Sequence, residues 1–249
     1  MKLANKVAIV SGGARDIGKA VSLELAKEGA KVVINYFGST DKAQETVSEI
    51  TSAGGQAIAV KGDLTKQADV DNLVSEAVSA FGSLDILVNN AGGIVARKTL
   101  SEMDEDFFNY VLQLNTTSTF LLTKAAAAKM GDGGSIVNIA SQAGRDGGGP
   151  GASAYAASKG AVMTFTRSMA KELGPQGIRV NALCPGMIST TFHDTFTKDE
   201  VRKNVANGTP LKREGSPSEI GTIVAFLASS EASFLTGVNM DANGGLLFS

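Results

Sequence analysis

The run Val7-Ala8-Ile9-Val10-Ser11-Gly12-Gly13-Ala14-Arg15-Asp16-Ile17-Gly18 decides the fold. Four consecutive apolar residues, mostly β-branched, read as a strand buried on both faces. Glycines then turn the chain, and a helical pattern over 17–28 follows, ended by Gly29. A glycine turn between strand and helix lets backbone amides approach a pyrophosphate at the positive end of the helix.

Working outward, the same alternation repeats along the chain. Strands are expected over 31–35, 57–61, 86–89, 135–139, 179–184 and 238–241. Helices are expected over 40–53, 68–81, 104–129, 154–173 and 218–228. Short apolar strands separated by helices imply βαβ units, hence a parallel sheet covered on both faces. Right-handed crossovers make this a doubly wound, Rossmann-type α/β fold. One domain is expected over 1–249, with a cofactor half to about residue 140 and a catalytic and substrate half from 141. Two stretches, 144–153 and 186–217, break the rhythm and are expected to be irregular binding loops.

Composition narrows the function. At 43% apolar, 19% charged and a net charge of −2, the chain has an ordinary globular profile and no basic surface for nucleic acid. No run approaches the ~20 apolar residues that cross a bilayer, so no membrane partner is expected and the cytoplasm is the default location. Cys184 is the sole cysteine and His193 the sole histidine, which removes internal disulfides and cysteine-based metal sites.

The cofactor candidates follow the strand ends. Gly12, Arg15, Asp16, Ile17 and Gly18 form the turn, and Asn35 and Tyr36 close the second strand. The segment Ile34-Asn35-Tyr36-Phe37-Gly38-Ser39-Thr40 lacks the acid that binds an NAD ribose, while the Arg15 guanidinium suits a 2′-phosphate. NADP(H) is therefore favoured, with NAD(H) as the alternative. Asp63 and Leu64 follow the third strand, with Asp63 placed to accept from an adenine amino group. Asn90, Ala91 and Gly92 follow the fourth. Ser141 ends the fifth strand, and Tyr155 and Lys159 lie four apart on one helix face. An ammonium beside a phenol lowers the phenol pKa, and a serine hydroxyl stabilises a carbonyl oxygen as charge develops on it. Asn115 is out of place inside a helix unless its amide orders a water or a backbone group.

In order and spacing, Gly12, Gly18, Asp63, Asn89-Asn90-Ala91-Gly92, Asn115, Ser141, the Tyr155–Lys159 pair and Pro185-Gly186 with Thr190-Thr191 resemble the short-chain dehydrogenase/reductase family. The resemblance covers essentially the whole chain. It implies that Tyr155 is the general acid or base, and that Lys159 lowers its pKa and binds the nicotinamide ribose. It implies further that Ser141 orients the carbonyl and Asn115 holds a water in a relay to Lys159. Pro185, Gly186, Ile188 and Thr190 would contact the nicotinamide. It also implies a homotetramer packed through the helices at 104–129 and 154–173. One departure is Asp16, where the family has a glycine. A carboxylate there would repel a pyrophosphate unless it caps the helix or orients Arg15.

For the substrate, Arg145 and His193 are the candidate polar contacts, Arg145 as an anchor for a carboxylate. The general appearance is similar to that of 3-oxoacyl-acyl-carrier-protein reductases. However, the segment Lys129-Met130-Gly131-Asp132-Gly133-Gly134 offers one cation beside an acid, little for an acidic carrier. A small polar carbonyl or alcohol, such as a sugar or keto acid, is expected first, and an acyl-carrier substrate second. The third reading is a silent nucleotide-binding sensor or scaffold, which has no need of the proton-transfer set.

Overall fold

The computed structural model describes residues 1–248. Seven parallel strands form one sheet in the order β3-β2-β1-β4-β5-β6-β7. They are β1 (Val7–Val10), β2 (Lys31–Tyr36), β3 (Gln56–Lys61), β4 (Ile86–Asn89), β5 (Ser135–Ile139), β6 (Arg179–Pro185) and β7 (Asn239–Ala242). The order reverses between β1 and β4, and in such sheets the crevice beyond the strand C-termini at this point takes ligands. The doubly wound parallel architecture expected from the alternation is the one observed.

Alternation along each strand divides the core. Ala8, Val10, Ile34 and Val88 face one side and meet Val21 and Leu25 of α1 (Asp16–Lys27) and Ile220 and Val224 of α10 (Pro217–Ala228). Ile9, Val33, Leu87 and Ile136 face the other side. There they meet Leu73 of α3 (Gln67–Phe81), Leu122 of α5 (Ser118–Ala127) and Leu173 of α7 (Ser153–Leu173). Each valine, leucine or isoleucine fully buried here contributes about 1.5–3 kcal/mol of transfer free energy. The remaining early helix, α2 (Thr40–Ser52), packs on β3 and α1.

Three places differ from the sequence-based expectation. The helix expected over 104–129 is α4 (Glu105–Leu112), a π-helical turn (Gln113–Thr117) and α5. The first irregular stretch contains a four-residue helix, α6 (Ala143–Asp146). The second contains α8 (Thr191–Phe196) and α9 (Asp199–Gly208). Six residues rich in threonine and phenylalanine carry no readable helical period, and α9 has no fully buried face to impose one. No helix among the described residues is long and apolar enough to cross a membrane.

Candidate active site

β1 ends at Val10, and Gly12 turns the chain with φ +60°. A Cβ on Gly18 would stand 2.0 Å from the Gly12 carbonyl oxygen, so only glycine closes this turn. The Ser11 hydroxyl, which sequence reading passed over, donates to Val88 O and accepts from Asn90 N at 2.8 Å and Ala91 N at 3.0 Å. Asn90 Nδ2 donates to the carbonyls of Ser11 and Gly12. The ends of β1 and β4 are thereby joined at the point where the strand order reverses. Arg15 precedes α1 and gives it no side-chain cap, which leaves the first amides of the helix for an anion. The Arg15 side chain is 67% exposed and approaches Asp16 only to 3.9 Å, so it can reach a phosphate. Asp16 itself neither caps α1 nor holds Arg15 closely. Its carboxylate accepts from Thr191 N at 2.9 Å and Thr191 Oγ1 at 2.6 Å.

The candidates on the adenosine side of the crevice are placed by their own hydrogen bonds. Asn35 is buried, with Oδ1 accepting from Gly12 N and Nδ2 donating to Val60 O and Gly62 O. Its task is to brace the glycine turn. Tyr36 stays half-buried at the end of β2. Asp63 Oδ1 accepts from Thr65 N and Oγ1, which leaves Oδ2 outside that turn. The Leu64 side chain belongs to the core, so only its backbone can face a ligand. With these groups, the glycine cradle and Arg15, the crevice fits a dinucleotide carrying a 2′-phosphate.

The catalytic candidates converge on the other half. Ser141 follows β5, and its hydroxyl accepts from Ala143 N at 3.1 Å, which leaves its proton for a carbonyl oxygen. Tyr155 and Lys159 share a face of α7, with the ammonium 5.8 Å from the phenol ring centre. Lys159 Nζ donates to Ile139 O at 2.7 Å in a buried setting. Burial drives its pKa down from 10.5 to about 8, against a smaller upward pull from Cys184. Tyr155 keeps part of its surface open, yet loss of water around it raises its pKa, opposed by the Ser141 hydroxyl. The expected lowering of the phenol by Lys159 is therefore not what dominates in the protein alone; desolvation is.

Asn115 lies in the π-helical turn, where widened hydrogen bonding accommodates a polar residue. Its Oδ1 accepts from Gly93 N, and its Nδ2 donates to Gly93 O and Val111 O. The amide thus orders backbone and makes no direct bond to Lys159. A Cβ on Gly92 would lie 2.4 Å from Asn115 Oδ1 and 3.6 Å from Lys159 Nζ, so both groups face this glycine. Behind them, Asn89 Nδ2 donates to Asn138 Oδ1 and Asn138 Nδ2 to Thr166 Oγ1, a buried chain linking β4, β5 and α7.

The surrounding loops are tied together. Arg97 donates from Nε to Phe196 O and from a terminal nitrogen to Pro150 O, joining α8 to the glycine-rich segment. Phe192 of α8 stands 5.9 Å from the Tyr155 ring and packs on His193 and Phe196. Sequence reading missed Phe192, because no periodicity marks so short a helix. Pro185 ends β6, and Gly186 N donates to Ala242 O. Ile188 and Thr190 are buried, with Thr190 Oγ1 donating to Ile188 O.

The two substrate candidates have these settings. Arg145 binds Asp241 at 2.7 Å and the Asn239 carbonyl, with only 15% of its side chain exposed. It fastens α6 to β7, so the guanidinium expected to meet a carboxylate is already engaged by Asp241. His193 is half-buried, hydrogen-bonded to Thr197, and its pKa is lowered by burial and by Arg202. A separate cavity of about 600 Å³ lies between Met187, Ile188, Leu211, Ile223 and Leu247, and none of the catalytic candidates lines it.

A nucleotide crevice leading to a serine, a tyrosine and a buried lysine defines a nicotinamide-type oxidoreductase. Comparison with known proteins agrees. A family model described as enoyl-(acyl carrier protein) reductase matches residues 12–247. A hydroxynaphthalene reductase-like protein of Metarhizium brunneum is 40% identical over 255 residues, covering 98% of this chain and 95% of its own. A dehydrogenase/reductase from Sinorhizobium meliloti superposes with a TM-score of 0.95 at 36% identity, covering 99% and 97% of the two chains. A short-chain dehydrogenase of Burkholderia cenocepacia, solved with NADP, superposes at 0.93 with 34% identity and 99% coverage of both. The chain belongs to the short-chain dehydrogenase/reductase family.

Proposed function

We propose that the protein is an NADPH-dependent reductase of a small carbonyl compound, with Tyr155 as proton donor. The observation that carries this is the juxtaposition of Ser141, Tyr155 and buried Lys159 at the mouth of a cradle with Arg15 at its rim. The NADP in the Burkholderia neighbour supports the cofactor choice.

The nicotinamide, when bound, supplies or receives the hydride. The chain's own residues handle the proton and the charge. The substrate carbonyl oxygen accepts from the Ser141 hydroxyl and from Tyr155, which passes its proton to that oxygen as negative charge develops. A phenol held above its ordinary pKa stays protonated near neutrality, which suits reduction. The Lys159 ammonium stabilises the resulting phenolate and, with donors to spare beyond Ile139 O, holds ribose hydroxyls. Asn115 positions Gly92 and Gly93 beside Lys159. Alcohol oxidation uses the same groups in reverse.

The substrate reading shifts within this class. A keto acid loses its anchor, since Arg145 is bound to Asp241. The Phe192 face beside Tyr155 favours a cyclic or planar carbonyl, and the name of the Metarhizium relative supports this. An acyl-carrier substrate stays as second reading, supported by the description of the matched family model. Exposed Phe108, Tyr110 and Phe120 on α4 and α5, the last packed edge-on against Phe165 of α7, support assembly through these helices into a tetramer. Loss of NADPH absorbance with cyclic ketones and quinones, sugars, α-keto acids and 3-oxoacyl thioesters tests the reading. Turnover confined to thioesters favours the carrier reading, and turnover of keto acids or sugars alone removes the role given to Phe192.

A further inference from the structure

Asp16 is the one strained residue of the glycine turn that is not glycine. Its φ of +51° lies in the left-handed region, where a side chain is tolerated poorly and glycine freely. Both carboxylate oxygens are engaged by Thr191, from a point 175 residues further along the chain. Thr191 opens α8, whose own N-cap residue, Thr190, turns its hydroxyl to Ile188 O and gives the helix no side-chain cap. The first amide of α8 is therefore capped from across the crevice. Asp16 follows β1 and Thr191 follows β6, with the ends of β4 and β5 lying between them in the sheet. The link spans the mouth of the groove that the dinucleotide must occupy. What it holds is substantial: α8 brings Phe192 to Tyr155, presents Phe196 O to Arg97, and joins α9 through the Asp194–Arg202–Glu214 pairs.

We propose that Asp16 and Thr191 form a latch that fastens α8 across the crevice and limits the rate at which bound NADP(H) leaves. The proposal rests on the nucleotide reading above. Asp16 is then a positioning residue: its backbone strain is retained because a glycine would free α8 from the cofactor turn. With both oxygens on Thr191, the carboxylate is turned toward hydrogen-bond donors beside the anion site, which eases the repulsion that a carboxylate in this turn poses.

The test is release of NADPH chased with excess NADP⁺ in a stopped-flow instrument, for wild type, Thr191→Val and Asp16→Gly. Glycine accepts the +51° backbone and valine keeps the threonine shape, so both variants should fold. Losing one solvent-exposed hydrogen bond should speed release about threefold in Thr191→Val, and losing both about tenfold in Asp16→Gly. Amide exchange over 191–196 in the cofactor-free protein should quicken in both. Slower release in Asp16→Gly would mean that the carboxylate acts on the cofactor by repulsion alone, and release unchanged in Thr191→Val would show that the hydrogen bonds hold nothing; either result would overturn the latch. Unchanged exchange in both variants would overturn it equally. Wild type that binds no NADPH would remove the nucleotide reading, which the exchange measurement does not depend on.

Discussion

Lys159→Met should make the cofactor-free protein more stable while nearly abolishing turnover. The drop of the Lys159 pKa from 10.5 to about 8 comes from burial of the ammonium. At about 1.4 kcal/mol per pH unit, keeping that charge inside costs the folded state about 3 kcal/mol well below pH 8. Methionine fills a similar volume without the charge and loses only the bond to Ile139 O, worth about 1 kcal/mol. The net expectation at pH 7 is a gain of about 2 kcal/mol. The sign with pH follows from the direction of the shift. Between pH 8 and 10.5 the unfolded chain binds the proton that the folded one has released, so wild-type stability rises with pH through that window. The gap between variant and wild type should therefore shrink by about 2 kcal/mol from pH 7 to pH 9.5. Urea denaturation at both pH values and one protein concentration measures it. A variant less stable than wild type at pH 7, or a gap indifferent to pH, would show that burial of the Lys159 charge does not cost the fold this energy.

Two further outcomes are expected. Arg15→Ala should weaken NADPH binding about tenfold or more while leaving NADH nearly unchanged, the outcome expected of the proposed guanidinium–2′-phosphate contact; fluorescence titration with both cofactors checks this. In the reduction direction kcat/KM should fall as pH rises above about 8, where the free enzyme loses the Lys159 charge, and a level profile to pH 9.5 would contradict that role.

Much of this was legible in the sequence because the strands are short, apolar and regularly spaced by helices. Tyr155 and Lys159 were legible as a helical pair, and the glycine turn as strand, glycines and helix. What escaped depends on contacts far apart in the chain. Asp16 meets Thr191, Arg145 meets Asp241, and Asn35 reaches Gly12, none of which any local pattern announces. The π-helical turn around Asn115 hid within a continuous helical period. Phe192 sits on a six-residue helix, too short for its apolar side chain to declare a face.

The proposed activity stands on proton transfer by Tyr155. Tyr155→Phe keeps the ring against Phe192 and the packing of α7, and removes only the hydroxyl. NADPH turnover on the best carbonyl substrate should fall by about a thousandfold, with NADPH affinity within a few-fold of wild type. Turnover that survives the substitution would mean that another group donates the proton.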